Sequence, residues 1–162
     1  MQKLLTAGTT TMPSSVLGAG SYGIAIALDD KTVVKFTTSR QEYKNATRLQ
    51  GRRLKTVWSV YAAGECNDDT ADTVRAIASR RGSRVASAQE IYFIIGERLQ
   101  KPKDGEFVRA FRSYDYRAMD RFRKRVNNEL RREFPDERVY HSDVHAGNVL
   151  LRGRAMVAFD VQ

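Results

Sequence analysis

Three oxygen-bearing side chains near the end of the sequence have a spacing that suits phosphoryl transfer. In the segment His141-Ser142-Asp143-Val144-His145-Ala146-Gly147-Asn148, Asp143 precedes Asn148 by five residues, and Asp160 follows Asn148 by twelve. This chemistry needs a carboxylate that orients the attacking hydroxyl group and accepts its proton. It also needs oxygen ligands that hold Mg²⁺ on the phosphates. Asp143, Asn148 and Asp160 supply groups of both kinds.

A glycine-rich segment near the start of the sequence could cradle phosphate groups. Gly18-Ala19-Gly20-Ser21-Tyr22-Gly23 follows the pattern G-x-G-x-x-G, in which missing side chains let backbone amides approach an anion. Taken by itself, the pattern is explained equally well by a hairpin turn that happens to contain glycines. A dinucleotide-binding unit would require a helix after the loop, whereas residues 24–28 have the composition of a strand. The context therefore favours a phosphate-binding loop between two strands.

Lys35 lies among apolar β-branched residues, twelve positions after Gly23. A lysine on a buried strand needs an anion close to its ammonium group. A nucleotide phosphate, together with Glu42 on the helix predicted to follow, would meet this need. Alternation along the strand equally allows Lys35 to point outward into solvent. The residue by itself does not decide between these orientations.

The order of these features resembles the protein-kinase-like superfamily from residue 17 to residue 160. That family has a glycine loop, a strand lysine, a helix glutamate, a hinge, a catalytic Asp and Asn, and a metal-binding Asp, in this order. The segment from His141 to Asn148 is most similar to the H-x-D-x-H-x-G-N segment of aminoglycoside and choline kinases. The resemblance implies ATP and Mg²⁺ as cofactors. It also implies an α+β, minimal bilobal fold with an antiparallel N-lobe sheet (residues 1–96) and a truncated helical C-lobe (residues 97–162).

The resemblance further implies a role for each matching residue. Asp143 would be the catalytic base, and Lys35 would clamp the phosphates. His145 would lie close to the transferring phosphoryl group, and His141 would support the catalytic loop. The implied Mg²⁺ ligands are Asn148 and Asp160. The other implied nucleotide-binding residues are Gly18, Ala19, Gly20, Ser21, Tyr22, Gly23, Glu42, Glu97 and Leu99.

The sequence departs from the kinase pattern at three places. Glu42 follows Lys35 by only seven positions, a shorter spacing than the family shows, which puts Glu42 near the start of its predicted helix. Asp160-Val161-Gln162 stands where protein kinases have Asp-Phe-Gly, so the regulatory Phe is missing. The given sequence ends two residues after Asp160, which fits a natural minimal kinase similar to small phage-encoded kinases, a fragment, or a protein that only binds nucleotide. The intact Lys, Asp, Asn and Asp favour activity.

Hydrophobic periodicity and turn residues predict the elements that carry these side chains. The predicted strands cover residues 16–17, 24–28, 32–36, 57–62, 91–95, 149–151 and 156–159. The predicted helices cover residues 39–50, 72–81 and 114–134, the last with an apolar stripe of Met119, Phe122, Val126 and Leu130. We place the boundary between the two lobes near residue 96.

Composition limits the class of protein. A hydrophobic fraction of 41% is ordinary for a folded domain, and the longest apolar run, residues 91–95, is too short to span a membrane. We expect a cytoplasmic protein, in the host cytoplasm if it is phage-encoded. Cys66 is the only cysteine, which excludes an internal disulfide and fits a reducing compartment.

The net charge of +9 is concentrated in one part of the sequence. From Glu97 to Phe134 there are 12 Lys or Arg against 7 Asp or Glu. We expect Arg117, Arg121, Arg125 and Arg132 to spread over the polar faces of their helix as a solvated surface. The alternative is that the stretch from Arg109 to Arg132 binds an acidic protein or a nucleic-acid-associated partner.

The sequence thus predicts an ATP-dependent phosphotransferase that acts on a hydroxyl group, with protein Ser or Thr ahead of a small molecule as acceptor, and with autophosphorylation included. The alternatives are an aminoglycoside-like small-molecule kinase and a non-catalytic, pseudokinase-like adaptor. A metal-dependent hydrolase is a rival from another class, because H-x-D-x-H places His141, Asp143 and His145 on alternate positions of an extended strand, with Asp160 as a fourth ligand. That reading leaves the glycine loop, Lys35 and Asn148 without roles.

Overall fold

The structure, a computed structural model, describes residues 15–102, 116–137 and 139–161. Within these residues the chain is an α+β protein with a five-stranded antiparallel sheet, a separate β-hairpin and three α-helices. The sheet consists of β1 (Val16–Ala19), β2 (Gly23–Ala27), β3 (Thr32–Thr37), β4 (Val60–Glu65) and β5 (Tyr92–Glu97), in the order β1-β2-β3-β5-β4. The hairpin consists of β6 (Val149–Arg152) and β7 (Ala155–Ala158), and the helices are α1 (Arg40–Leu49), α2 (Asp68–Ser79) and α3 (Tyr116–Glu133).

The first three strands, which the sequence predicts, pair in order as an antiparallel meander. Successive side chains of a strand point to opposite faces of the sheet. On β3, Val34 and Phe36 pack into a core with α2, whereas Val33 packs into a second core on the opposite face. Lys35 alternates in step with Val33, so the strand register directs its side chain toward the second core.

The starts of two elements differ from the prediction by three or more residues, each because of a specific local contact. β4 begins at Val60 rather than at Val57, because Val57 and Trp58 bind the hairpin: Trp58 N–H donates to the Ala158 carbonyl oxygen at 2.9 Å. α2 begins at Asp68 rather than at Asp72, because the Asn67 side chain caps the helix by accepting the Thr70 N–H.

α3 packs its predicted apolar stripe into the second core. Phe122, Val126 and Leu130 are fully buried there, and Met119 packs against them. The helix is also fixed by Glu129, whose carboxylate accepts the backbone N–H groups of Lys55 at 2.7 Å and Thr56 at 2.8 Å. The hairpin and α1 share this core. α3 therefore forms a rigid support behind the residues that precede β6.

Two predicted features lie outside the described residues, namely the start of the third helix at residue 114 and Arg109. Among the helices that are described, none has the length and apolar character needed to cross a membrane.

Candidate functional site

Lys35, Glu42 and Asp160 meet at one point between the sheet and the hairpin. Lys35 Nζ lies 2.6 Å from Glu42 Oε1 and 2.5 Å from Asp160 Oδ1. The Lys35 side chain is only 16% exposed, which rules out the orientation into solvent that strand alternation allowed. Glu42 lies in the first turn of α1, as its short spacing from Lys35 requires, and still reaches the ammonium group.

The charges of Lys35, Glu42 and Asp160 do not balance. Burial alone would lower the pKa of Lys35, but the carboxylates of Glu42 and Asp160 outweigh it and raise that pKa. Burial raises the pKa of Glu42, and the negative charge of Asp160 adds to the rise, although Lys35 and the Thr37 hydroxyl oppose it. One cation thus serves two carboxylates. The excess negative charge favours the arrival of a further cation at Asp160, which is 27% exposed.

The segment that carries Asp143 is folded by its own side chains. Residues 146–148 form a short 3₁₀ turn, and His145 caps it by accepting the Gly147 N–H at Nδ1. Asn148 is buried, donates its side-chain amide to the Asp143 carbonyl oxygen, and accepts the His145 N–H at 2.9 Å. The Asn148 side chain thereby fixes the backbone on both sides of Val144.

His141 anchors the start of this segment. Its ring is fully buried, and Nε2 contacts the Phe159 carbonyl oxygen at 2.9 Å, next to Asp160. Asn127 on α3 binds the His141 backbone twice, accepting its N–H at 2.7 Å and donating to its carbonyl oxygen at 3.0 Å. Burial lowers the pKa of His141, so the ring is neutral at pH 7. The predicted supporting role of His141 agrees with these contacts.

The hydrolase reading of H-x-D-x-H is not supported by this arrangement. Residues 141–145 do not form the extended strand that it needs, and the His141 ring is buried against Phe159 instead of facing the other ligands. In the part of the chain that the structure describes, no three His, Cys, Asp or Glu side chains converge as a metal site. Of the four proposed ligands, His145 and Asp143 approach each other, with 3.4 Å between Nε2 and Oδ2.

Asp160 has an unusual backbone conformation. Its φ is 61°, and it is the one residue other than glycine with positive φ in the described ranges. The flanking residues hold it there: Phe159 N–H donates to the Asn148 carbonyl oxygen at 3.0 Å, and Asn45 donates to the Val161 carbonyl oxygen at 3.2 Å. Residues in such conformations cluster at active sites, ligand clamps and switch regions.

A cleft of about 1110 Å³ opens between the glycine loop and the hairpin. Its volume is large enough for a cofactor-sized ligand. Lys35 lies on its wall, and Leu99 lies at the edge where the chain leaves β5. The apolar part of the lining consists of Val16, Leu17, Ala25, Val33, Trp58, Leu99, Leu150 and Phe159. This apolar lining, with Lys35 and the glycine loop beside it, suits a molecule that has an apolar ring and a phosphate tail.

The predicted nucleotide-binding residues fall into three groups. Those that line the cleft are Gly18, Ala19, Gly20, Gly23, Lys35, Glu97 and Leu99. Glu42 lies behind Lys35, and Ser21 and Tyr22 lie at the exposed end of the loop, outside the lining. Of the predicted catalytic pair, Asp143 is 58% exposed and His145 is 50% exposed, at the surface next to Asn148.

The Glu97 side chain is already engaged by other residues. Its carboxylate binds the Arg152 guanidinium and accepts the Ser59 N–H at 2.9 Å. Its carbonyl oxygen accepts the indole N–H of Trp58 at 2.8 Å. Burial would raise the pKa of Glu97, but the bonds from Arg152 and Ser59 outweigh it and lower that pKa. The Glu97 carboxylate thus links β5 to the hairpin through Arg152 and to the chain before β4 through Ser59.

Sequence reasoning missed Asn127, Trp58 and Arg152. Arg152 also donates to the Leu54 carbonyl oxygen at 2.9 Å and the Val57 carbonyl oxygen at 3.1 Å, which ties the hairpin to the chain before β4. These residues contact partners far away in sequence, so no local pattern marks them. The one available signal was a polar residue, Asn127, next to the apolar stripe of the third predicted helix.

Comparisons with known proteins leave the family open. A scan against protein-family models finds no model that matches the chain, and a search of curated proteins finds no match.

Proposed function

We propose that the chain is a Mg-ATP-dependent phosphotransferase with a minimal bilobal, kinase-like arrangement, in which the sheet is the smaller lobe and α3 with the hairpin is a truncated second lobe. The observation that carries this proposal is the contact between Lys35 and Asp160. Lys35, the proposed phosphate clamp, contacts Asp160, the proposed metal ligand, although the two are 125 residues apart, and Lys35 lines the cleft together with the glycine loop.

The donor set fits the proposed ligands. Lys35 presents a charged ammonium group to phosphates, and Asp160 with Asn148 presents the oxygen ligands that Mg²⁺ prefers. Bound Mg²⁺ would neutralise charge on the phosphates. Asn148 uses one lone pair of its side-chain oxygen for the His145 N–H and keeps the other.

Asp143 supplies the remaining function. The acceptor oxygen forms a bond to the γ-phosphorus, the bond to the bridging oxygen breaks, ADP leaves, and the carboxylate of Asp143 takes the hydroxyl proton. Asn148 and the turn that it stabilises hold the Asp143 backbone in place for this step. His145 Nε2 lies 3.4 Å from Asp143 Oδ2, close enough for His145 to contact the transferring phosphoryl group.

We propose protein Ser or Thr as the acceptor, including residues of the chain itself. The exposed position of Asp143 supports this, because a base at the surface can meet a hydroxyl group on a large molecule. The second candidate is a small-molecule acceptor, favoured by the H-x-D-x-H-x-G-N segment. Either reaction uses the Mg-ATP that the cytoplasm, including the cytoplasm of a phage-infected host, supplies.

The test is transfer of ³²P from γ-labelled Mg-ATP by the purified chain, alone, with bacterial lysate, and with an aminoglycoside panel. The control variants are Asp143→Ala and, at an exposed aspartate away from the site, Asp69→Ala. Labelled protein bands that vanish only in Asp143→Ala support a protein kinase, and labelled aminoglycoside supports the second candidate. Nucleotide binding without transfer to any acceptor would leave a pseudokinase-like adaptor and contradict the proposal.

A further inference from the structure

The exposed side of α3 is a continuous basic stripe. The arginines that we expected to spread over several faces lie on one face, within about 80° of one another at 3.6 residues per turn. Lys124 and Arg131 fall on the same face and widen the stripe to about 120°. Its six members, all exposed, are Arg117, Arg121, Lys124, Arg125, Arg131 and Arg132. We call this set the α3 basic stripe, which runs for about 22 Å along the helix.

In the described part of the chain, nearby carboxylates pair with only one member of the stripe, Lys124. Glu129 is turned toward Lys55 and Thr56, and Glu133 pairs with Arg52 at 2.8 Å. Asp120, at the edge of the stripe, pairs with Lys124 at 2.9 Å and with Arg123 at 2.7 Å. Within the described ranges, no ion pair joins a carboxylate to any of the five arginines of the stripe. Five arginines therefore remain for an external anion.

The helix is held rigidly enough to present this charge as a surface. Its opposite face is buried through Phe122, Val126 and Leu130, so the stripe cannot rotate inward. Asn127 and Glu129 fasten the two flanks of the helix to the chain around His141 and Thr56. Two basic head groups are partly ordered already, since Arg125 lies over the Phe122 ring and Arg132 donates to the Asn128 carbonyl oxygen.

We propose that the α3 basic stripe binds the phosphate backbone of duplex DNA. The stripe contains no aromatic or aliphatic residue, whereas protein interfaces need an apolar core and single-stranded nucleic acid is bound by aromatic stacking. Nucleic-acid interfaces are instead polar and strongly positive. A helix fits the major groove of B-form DNA, while the major groove of duplex RNA is too narrow for side chains to read.

The proposal makes a quantitative prediction about salt. Five arginine contacts to phosphate give a slope of log K against log salt of about −4.5, so affinity falls about 500-fold between about 50 and 200 mM KCl. The variant Arg117→Gln, Arg121→Gln, Arg125→Gln leaves two contacts. Its slope is then about −1.8, a loss of only about 10-fold over the same range.

The experiment measures fluorescence anisotropy of a short, labelled, mixed-sequence duplex DNA against the full chain at several KCl concentrations. A matched control, Lys44→Gln, Arg80→Gln, Arg81→Gln, removes the same charge from exposed residues of α1 and the end of α2. The triple Arg→Lys variant at positions 117, 121 and 125 keeps the charge. We expect the control and the lysine variant to retain the wild-type slope, with thermal unfolding midpoints showing that all variants are folded.

Four results would overturn the proposal. These are the absence of DNA binding at the lowest salt, equal loss of slope in the Lys44/Arg80/Arg81 control, equal or tighter binding of duplex RNA, and displacement of the DNA by a poly-Glu peptide at matched charge. The last result would assign the stripe to an acidic protein. None of these readouts depends on phosphoryl transfer, so the stripe and the proposed catalytic function are tested separately.

Discussion

Lys35 Nζ and Asp160 Oδ1 lie 2.5 Å apart although the two residues are separated by most of the chain. β3 carries Lys35 on its inner face, and the turn after β7 carries Asp160 in a strained conformation that its neighbours maintain. The two residues are brought together by the shared core beneath them and by the backbone contact between Trp58 and Ala158. The site therefore depends on how the hairpin docks against the sheet.

Replacing Lys35 separates its electrostatic role in folding from its role in binding. Lys35→Met leaves Glu42 buried without a cation, which we expect to destabilise the fold by about 3 kcal/mol. The double variant Lys35→Met, Glu42→Leu also removes the unpaired Glu42 carboxylate and should recover most of that stability. Both variants should lose affinity for Mg-ATP, measured by calorimetry beside urea unfolding. Wild-type nucleotide affinity in either variant would exclude Lys35 as the phosphate clamp.

Asn127 is predicted to position the catalytic segment without contacting substrate. Asn127→Asp keeps the acceptor for the His141 N–H but cannot donate to the His141 carbonyl oxygen. We expect kcat for phosphoryl transfer to fall about 10-fold while KM for Mg-ATP stays unchanged, because the cleft is intact. The exposed neighbour Asn128→Asp is the matched control. A change in KM with kcat preserved would contradict a positioning role.

The glycines of the phosphate loop should differ in their tolerance of a methyl group. A Cβ at Gly23 would lie 3.0 Å from Lys35 Cε and 3.0 Å from the Phe36 carbonyl oxygen, whereas a Cβ at Gly18 meets nothing within 4 Å. We expect Gly23→Ala to cost about 1 kcal/mol of unfolding free energy and to weaken Mg-ATP binding. Gly18→Ala should retain wild-type stability. Equal unfolding midpoints for the two variants would show that the contact at Gly23 relaxes freely.

Glu129 should make stability depend on pH in the acid range. Burial would raise its pKa, but the bonds from the Thr56 side chain and from the Lys55 and Thr56 N–H groups outweigh it and lower the pKa below 4.5. A lowered folded pKa stabilises the fold fully above the unfolded value of 4.5, and the effect is lost as pH falls through the folded value.

The measurement is urea unfolding of the wild type and Glu129→Gln at pH 7 and at about pH 3. We expect the variant to be about 2 kcal/mol less stable at pH 7, with the difference shrinking in acid as the wild-type carboxyl group protonates. A difference that stays constant between the two pH values would mean that the charge of Glu129 contributes nothing.

The sequence predicts most elements of the fold because their signals are local. The meander, the apolar stripe of α3 and the hairpin follow from alternation, from helical spacing, and from the Arg152-Gly153-Arg154 turn, in which Gly153 has a φ of 61°. The early start of α2 was missed because a single capping side chain, Asn67, decided it. β4 was misplaced because Val57 and Trp58 pair with β7 rather than with β5, which is a tertiary effect.

The sequence predicts only some residues of the candidate site. Residues with a chemical signature, such as Lys35 and Asp160, were selected from type and order alone, and the structure brings these two together. Residues that act through remote contacts were not found, and Asn127 and Arg152 are the main examples. The face on which the α3 arginines lie was also misjudged, since counting charges does not resolve their angular position on a helix.

The central claim is that Asp160 and its neighbours hold Mg²⁺ and a nucleotide in the cleft, and calorimetric titration with ATP tests it most directly. The titration compares the wild type with Asp160→Asn, and with Asp30→Asn, an exposed aspartate that lines the cleft. We predict tight binding of ATP to the wild type and to Asp30→Asn only when Mg²⁺ is present, and loss of that Mg²⁺ dependence in Asp160→Asn. Equal binding of ATP with and without Mg²⁺ by the wild type, or an unchanged Mg²⁺ dependence in Asp160→Asn, would contradict the claim.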